Sequence, residues 1–203
     1  MKVLVATRNP GKLAEARQLL APAGVAVLSP DEAGVGWSSA EELLETAETF
    51  EGNARAKAEY FARRVGLPTV ADDSGLEVIA LGGAPGVRSR RWAGATGSAG
   101  EVDAANNREL LRRLRGAPDV RRRARYRCVL ALVEPGQVVP RIFEGACAGT
   151  ILTEPRGSGG FGYDPLFLSD DLGKTFGEAS PEEKNAVSHR GRAFAELLAA
   201  VVV

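Results

Sequence analysis

Asp72 and Asp73 stand side by side, followed by Ser74 and Gly75, where a short apolar run from Thr69 ends and another starts at Leu76. Adjacent carboxylates repel, and burying them without a partner is costly. A positive counterpart is needed, and Mg2+, which takes oxygen ligands, would serve. The alternative is an ordinary Asp-Ser-Gly turn whose side chains bond their own backbone. Three other stretches suit an anion. Thr7, Arg8, Asn9, Pro10, Gly11 and Lys12 lead into a helical pattern, with Asn9 placed as N-cap and Pro10 at the first helical position. A helix start offers N–H groups and positive dipole to phosphate, and Lys12 adds a full charge, although the P-loop spacing is absent. The second stretch, Gly157 to Gly162, matches G-x-G-x-x-G, yet Tyr163, Asp164 and Pro165 follow where a dinucleotide-binding helix should begin. A flexible glycine loop that delivers Phe161, Tyr163 and Asp164 to a pocket fits better. There Phe161 would offer a flat face to a base, or else Phe161 and Phe167 simply fill the core. The third is Lys184, His189 and Arg190, which an unbroken helix would scatter at about 100° per residue. A break at Ser188 would let all three face one site.

These residues need elements to hold them. Lys2 to Ala6 reads as a buried strand, Leu13 to Ala21 as a helix and Val25 to Leu28 as a second strand. Ser29 to Glu48 is polar and acid-rich, an exposed loop or short helix. Thr49 to Val65 reads as a helix with Phe50, Ala54, Ala58 and Phe61 on one face, closed by Gly66 and Pro68. It leads to the acidic residues, expected where one strand ends and another begins. This β-α-β-α-β order implies an α/β fold with parallel pairing and ligands at strand ends. Arg88, Arg90, Arg91 and Trp92 either hold phosphate or start a solvated helix. Glu101 to Arg115 reads as a helix with Leu110, Leu111 and Leu114 inward. In Arg121 to Cys128 the arginines Arg123, Arg125 and Arg127 alternate with apolar residues, as on one face of a strand charged at an edge or interface. Val129 to Glu134, a turn at Pro135 and Gly136, and Val138 to Phe143 make a hairpin, expected to form a second lobe. Phe194, Leu197, Leu198 and Val201 give a last helix its apolar face.

Composition narrows the function. Lysine plus arginine and aspartate plus glutamate both total 26 in 203 residues, so the net charge is zero, which disfavours a general nucleic-acid binder. Cys128 and Cys147 have neither metal-site nor disulfide-framework spacing, as suits a reducing cytoplasm. No signal peptide is apparent, and the apolar run 197–203 is too short to cross a membrane. These features describe a cytoplasmic globular protein.

Taken in order along almost the whole chain, the motifs resemble the inosine triphosphate pyrophosphatase family. The resemblance is carried by Thr7, Asn9 and Lys12; Thr49 and Phe50 with Asn53 and Ala54; Ala71 to Leu76; Gly82, Gly83, Pro85 and Gly86; Gly159 to Pro165; and Glu183 to Arg190. It implies a single domain over 1–203, with a mixed central sheet, helices, and two lobes flanking a nucleotide-binding cleft. It also implies a homodimer that uses Mg2+ to cut nucleoside triphosphates to monophosphate and pyrophosphate, with preference for purines bearing a 6-oxo group. By the same resemblance Thr7, Arg8, Asn9, Pro10, Gly11 and Lys12 cradle the triphosphate. Asp73 holds the metal and accepts the proton of the attacking water, and Ser74 contacts the ligand. Phe161, Gly162, Tyr163, Asp164, Lys184, His189 and Arg190 complete the nucleotide pocket. A second metal-binding glutamate is often found shortly before the Thr-Phe pair in that family. Here Glu45 is the choice, with Glu41, Glu42 and Glu48 as rivals.

Such a reaction suits these residue types. Positive groups fixed around the α-phosphorus stabilise charge that grows in the transition state, and Mg2+ at Asp73 would acidify and orient the water. Donors from His189 or Arg190 would favour a 6-oxo over a 6-amino group. Three other readings stand beside this one: a pyrophosphatase for modified or pyrimidine nucleotides, a nucleotide- or RNA-binding protein without turnover that uses Arg121 to Arg127, and a serine hydrolase, for which the nucleophile elbow is missing.

Overall fold

The computed structural model describes residues 1–137 and 139–201. Val138, expected in the hairpin, and Val202 and Val203, at the end of the apolar run, lie outside the described residues. Strand β1 (Lys2–Val5) is buried at three of its four positions, as a strand covered on both faces should be. Helix α1 (Pro10–Leu20) begins where expected: the Asn9 side chain accepts from the Gly11 and Lys12 N–H groups, with proline in the first turn. Strand β2 (Ala26–Leu28) follows, then a loop with a short 3-10 helix, Ser39–Glu45, opened by a capping box between Ser38 and Glu41. Helix α2 (Phe50–Val65) is capped by Thr49 and stopped by Gly66, whose φ of 63° is in the left-handed region that glycine tolerates.

Strand β3 (Thr69–Val78) then runs through the acidic residues without interruption. The expected strand end at Asp72 and Asp73 is therefore not there. A continuous strand sends successive side chains to opposite faces, so the two carboxylates are separated without a turn. Strand β1 pairs in parallel with β2 and β3, with Lys2 opposite Ala26 and Leu4 opposite Thr69, as the β-α-β-α-β order implied.

The rest of the chain adds helix α3 (Ala99–Arg113), strands β4 (Arg123–Val133), β5 (Arg141–Ile151) and β6 (Phe167–Ser169), and helices α4 (Pro181–Val187) and α5 (His189–Val201). The sheet has six strands in the order β2-β1-β3-β4-β5-β6, and β5 and β6 are antiparallel, so it is mixed. Strand β4 is thus internal, which overturns the expectation of a charged edge. Its arginines do alternate with buried Ala124, Tyr126 and Cys128, but acids neutralise them: Arg125 and Arg127 pair with Glu77, and Arg123 with Asp170.

Two compact units divide the chain: residues 1–73, 128–145 and 191–203, and residues 74–127 and 146–190. Each has its own core. The first is built from Val3, Val5, Leu20, Val70, Leu130, Leu132, Phe143, Phe194 and Leu197, with Leu198 and Val201 packed against it. The second gathers Leu76, Val78, Leu110, Leu114, Tyr126, Ile151, Leu166, Phe167 and Phe176. The hairpin does not belong wholly to a second lobe, because Leu130, Leu132 and Phe143 bury their side chains in the first core. Leu110 has no exposed surface. Leu110→Ala should destabilise the protein by about 3 kcal/mol through lost burial and a cavity. Chemical denaturation measures this, and a loss below about 1 kcal/mol would contradict so tightly packed a second core.

Candidate functional site

In the first unit the site is built on the opposite faces of β3. Asp72, 3% exposed, is ion-paired to Lys12 from the first turn of α1, and the Cys128 thiol lies 3.2 Å from its other oxygen. Asp73, 6% exposed, is gripped from α2: Asn53 Nδ2 donates to Oδ2 at 3.0 Å and Lys57 Nζ to Oδ1 at 3.1 Å. The Lys57 ammonium also donates to Glu45 Oε1 and to the Asp72 carbonyl, each at 2.7 Å. Asn53 and Lys57 are four residues apart and so share one helical face. That face is otherwise apolar, with Phe50, Ala54, Ala58 and Phe61 buried.

Lys57 is the residue that sequence reading missed. A signal was present, since Asn53 and Lys57 fall on the apolar stripe of α2, where a polar pair needs a reason. Burial pulls the ammonium pKa down, but the charges of Asp73 and Glu45 outweigh it, and the pKa is raised. Lys57 therefore stays positive and buried. Glu45, itself exposed in part, is the acid that meets Asp73 on a common cation. Glu41 is committed elsewhere: Arg8 clasps it through Nε and Nη2 at 2.7 and 2.8 Å, and it caps the Ser38 N–H. Arg8 also reaches Asp31 and the Val35 carbonyl, so this arginine braces the loop after β2. Asn9 Oδ1 and Thr7 Oγ1 take the N–H groups of Gly11, Lys12 and Asn9, which gives the start of α1 a fixed shape.

The second unit holds the remaining residues. Ser188 has extended backbone, with ψ of 159°, between α4 and α5, so the helix breaks where the sequence pattern required it. Lys184, 4% exposed, is ion-paired to Asp164, and its Nζ lies 4.7 Å from the centre of the half-buried Phe161 ring. Arg190, 1% exposed, donates to Ser74 Oγ at 2.8 Å, and its guanidinium carbon lies 5.7 Å from the same ring. His189 stacks on Tyr126 with ring centres 4.6 Å apart. Burial, then the charge of Asp164, pushes the Tyr126 phenol far up, so it remains a hydroxyl, 3.4 Å from Asp164 Oδ1. Lys184, Arg190 and Phe161 are thus brought together, with Asp164 as counter-charge. Tyr163 is not aimed with them: its hydroxyl donates to the Ser89 carbonyl inside the core.

The glycine loop is shaped by close approach and is not slack. A Cβ on Gly160 would run into the Asp164 carboxylate, and one on Gly157 into the Gly177 backbone. Asp164 takes the Phe161 N–H at 2.9 Å, while Asp103 and Asn107 of α3 hold the N–H and carbonyl of Gly162. Those two α3 residues also escaped sequence reading, although their spacing of four on one helix marks them as a pair.

Fold and site together describe an α/β protein that fixes buried carboxylates, ammoniums and a ring–cation cluster on separate, well-packed frames. The comparisons agree on what that is. The model of the Ham1 family matches residues 3–200, and this chain belongs to that family. A dITP/XTP pyrophosphatase of Frankia alni is 48% identical over 198 residues, covering 97% of this chain and 95% of the relative. A HAM1 protein from Coxiella burnetii is structurally similar with a TM-score of 0.84 and 39% identity, covering 100% of this chain and 98% of that one. The nucleoside-triphosphatase / dITP/XTP pyrophosphatase of Mycobacterium abscessus gives a TM-score of 0.73 at 45% identity, covering 98% and 99%.

Lys57→Met leaves the buried Asp73 without its cation and should cost about 3 kcal/mol near neutral pH. Because the folded pKa of Lys57 is raised, the stability it contributes is complete below the unfolded lysine value, near pH ~10.4. Above that pH it fades as the folded ammonium deprotonates. Denaturation midpoints across this pH range should show the gap between wild type and variant narrowing only at the alkaline end. A gap that widens there would contradict the assignment.

Proposed function

We propose that this chain hydrolyses nucleoside triphosphates with a 6-oxo purine, dITP and XTP foremost, to the monophosphate and pyrophosphate. The observation that carries the reading is the Asp73 carboxylate, buried and held at both oxygens by Asn53 and Lys57, with the Lys12 ammonium on the adjacent Asp72. The names of the Frankia alni and Mycobacterium abscessus proteins support it.

The first unit meets the polyphosphate. Asn53 and Lys57 fix the Asp73 carboxylate so that a lone pair is available to take the proton of a water aimed at the α-phosphorus. The water oxygen attacks, and pyrophosphate leaves opposite with the bonding pair. Lys12, at the start of α1, exchanges its contact with Asp72 for phosphate oxygens and neutralises the leaving group. Asn9 and Thr7 keep the loop in register, with Arg8, Pro10 and Gly11 as its frame.

Mg2+ fits the donors on this unit. Among the described residues no group of three or more His, Cys, Asp or Glu side chains is placed to hold a metal. Mg2+ usually needs only one or two carboxylates, the other ligands being water and substrate phosphates. Glu45 and Asp73 already share one cation, the Lys57 ammonium. Asp72, Asp73 and Glu45 outnumber Lys12 and Lys57, so the corner alone carries a negative charge that opposes a polyphosphate. When bound at Glu45 and Asp73, Mg2+ supplies the positive charge that reverses this.

The groups of the second unit suit a base. Phe161 offers its half-buried face, and Gly162 and Asp164 set its position. Lys184 and Arg190 place positive charge beside the ring, and donors from Arg190 or His189 satisfy a 6-oxo acceptor. Adenine presents a donor there and leaves one of them unpaired, which discriminates strongly. The family resemblance also supports a homodimer acting on the cytoplasmic nucleotide pool; sedimentation at the mass of one chain would remove the dimer.

Pyrophosphate release from dITP, XTP, dGTP and dATP, each with and without Mg2+, is the direct test. Release should depend on Mg2+ and be fastest with dITP and XTP; equal rates on all four would defeat the base assignment. Asp73→Asn should lower turnover by roughly 100- to 10,000-fold, while calorimetry still detects dITP binding. Near-normal turnover in that variant would take Asp73 out of the proton transfer.

A further inference from the structure

The unit formed by residues 74–127 and 146–190 carries an open cleft, a cavity of about 610 Å3 with a wide mouth, that the proposed reaction leaves unused. Its wall carries Arg108, Arg112, Arg115 and Arg122 and no acidic residue. Leu111 and Ala117, both partly buried and packed against the second core, give it an apolar side. We infer that this cavity is a binding site for a small phosphate-bearing anion. The inference does not depend on the reaction proposed above.

Arg122 makes the case. It is only 4% exposed, and its Nε, Nη1 and Nη2 donate to the carbonyls of Ile151, Leu114 and Leu152 at 2.7, 3.0 and 2.6 Å. Its hydrogen bonds are satisfied, but carbonyls bring no net charge. Among the described residues the guanidinium has no carboxylate partner. A buried charge without a counter-charge is expensive, and an anion in the adjoining space relieves that cost. The side chains of Arg108 and Arg115 are exposed at the same wall and make no hydrogen bond or ion pair among the described residues. Arg112 is tied to Glu109, yet Glu109 also binds Arg113, so one acid serves two arginines. The hydrogen bonds from the two arginines hold the Glu109 pKa down to about 2.

A simpler account of the arginines is that α3 ends here, and a helix C-terminus favours basic residues. It covers Arg112 and Arg113, which lie in the last turn. It reaches Arg122 through only one of its three hydrogen bonds, since the carbonyls of Ile151 and Leu152 that take Nε and Nη2 lie at no helix end. Arg122 moreover donates to the Leu114 carbonyl at the end of α3, which masks part of the negative pole that would repel an anion.

The ligand follows from shape and chemistry. Guanidinium forks match phosphate oxygens in pairs. The volume is that of a small-molecule pocket, roughly 300–1,000 Å3, and exceeds what one phosphate fills. Either pyrophosphate or a nucleoside monophosphate, with its sugar and base toward Leu111 and Ala117, has the required charge and size.

The test is a titration of the 15N-labelled full chain with inorganic phosphate, pyrophosphate and inosine monophosphate, each followed at the amides of Gly116, Ala117 and Thr153. Amides of Lys12 and Asp73 report separately on the proposed active site. Saturable shifts at the cavity with a Kd of roughly 1 mM or tighter are expected. Saturation by pyrophosphate alone assigns a polyphosphate site, and tighter saturation by inosine monophosphate assigns a nucleotide site. The double variant Arg108→Ala, Arg115→Ala should weaken cavity binding by about tenfold or more, without changing pyrophosphate release from dITP. Absence of saturable shifts at those three amides with every probe, or shifts unchanged in the double variant, overturns the inference.

Discussion

Two carboxylates adjacent on one strand cannot share a cation without facing each other, and much of the first unit follows from that constraint. Strand geometry points Asp72 and Asp73 to opposite faces of β3, so each recruits its own ammonium. Asp72 draws on Lys12 at the start of α1, and Asp73 on Lys57 in the middle of α2. The two helices differ in how much freedom they leave. Lys12 comes from a helix end and keeps some exposure, whereas Lys57 is surrounded by core residues and has a second carboxylate and a carbonyl to satisfy. A mobile charge suits a ligand that arrives and leaves; a fixed one suits a base that must not move.

The second unit solves a related problem with rings in place of a second acid. Lys184 and Arg190 are among its most buried charges, yet Asp164 is the carboxylate that pairs with Lys184. The centre of the half-buried Phe161 ring lies 4.7 Å from the Lys184 ammonium and 5.7 Å from the Arg190 guanidinium carbon, and the negative face of an aromatic ring is a weak counter-charge. The glycines around it follow from packing: side chains at 157 and 160 would collide with Gly177 and Asp164. Rigidity there holds Phe161 at a fixed distance from Lys184, which a slack loop would not do.

The elements were largely legible because they depend on local pattern. The proline and Asn9 at the start of α1 and the break at Ser188 are short-range signals, and the structure has each of them. What depended on distant partners was harder to read. The turn expected at Asp72 was inferred from polarity, but polar residues inside a strand are allowed when cations from other elements meet them. The arginine strand looked like an edge because its acids, Glu77 and Asp170, lie 48 and 47 residues away in the chain. Lys57 was hidden for the opposite reason: helical periodicity explained its neighbours so well that one lysine in the stripe drew no notice. The acids of the loop 29–48 were visible as a group, but the commitment of Glu41 to Arg8 and of Glu45 to Lys57 is what separates the two.

Burial of charge is expensive for a domain whose net stability is on the order of 10 kcal/mol. A chain selected for stability alone would replace Asn53 and Lys57 with the apolar residues that the rest of the α2 stripe already uses, since buried ion pairs seldom outperform well-packed hydrophobic groups. That they remain on a face shared with Phe50, Ala54 and Phe61 implies that holding Asp73 in one orientation is worth the loss. The same reasoning applies to Lys184 and Arg190, each almost fully buried beside Phe161. A preorganised charge contributes to catalysis because it does not have to rotate as the reaction proceeds. In this fold Asp73, Lys57, Lys184 and Arg190 are almost fully buried, while the half-buried Arg8 braces the loop after β2.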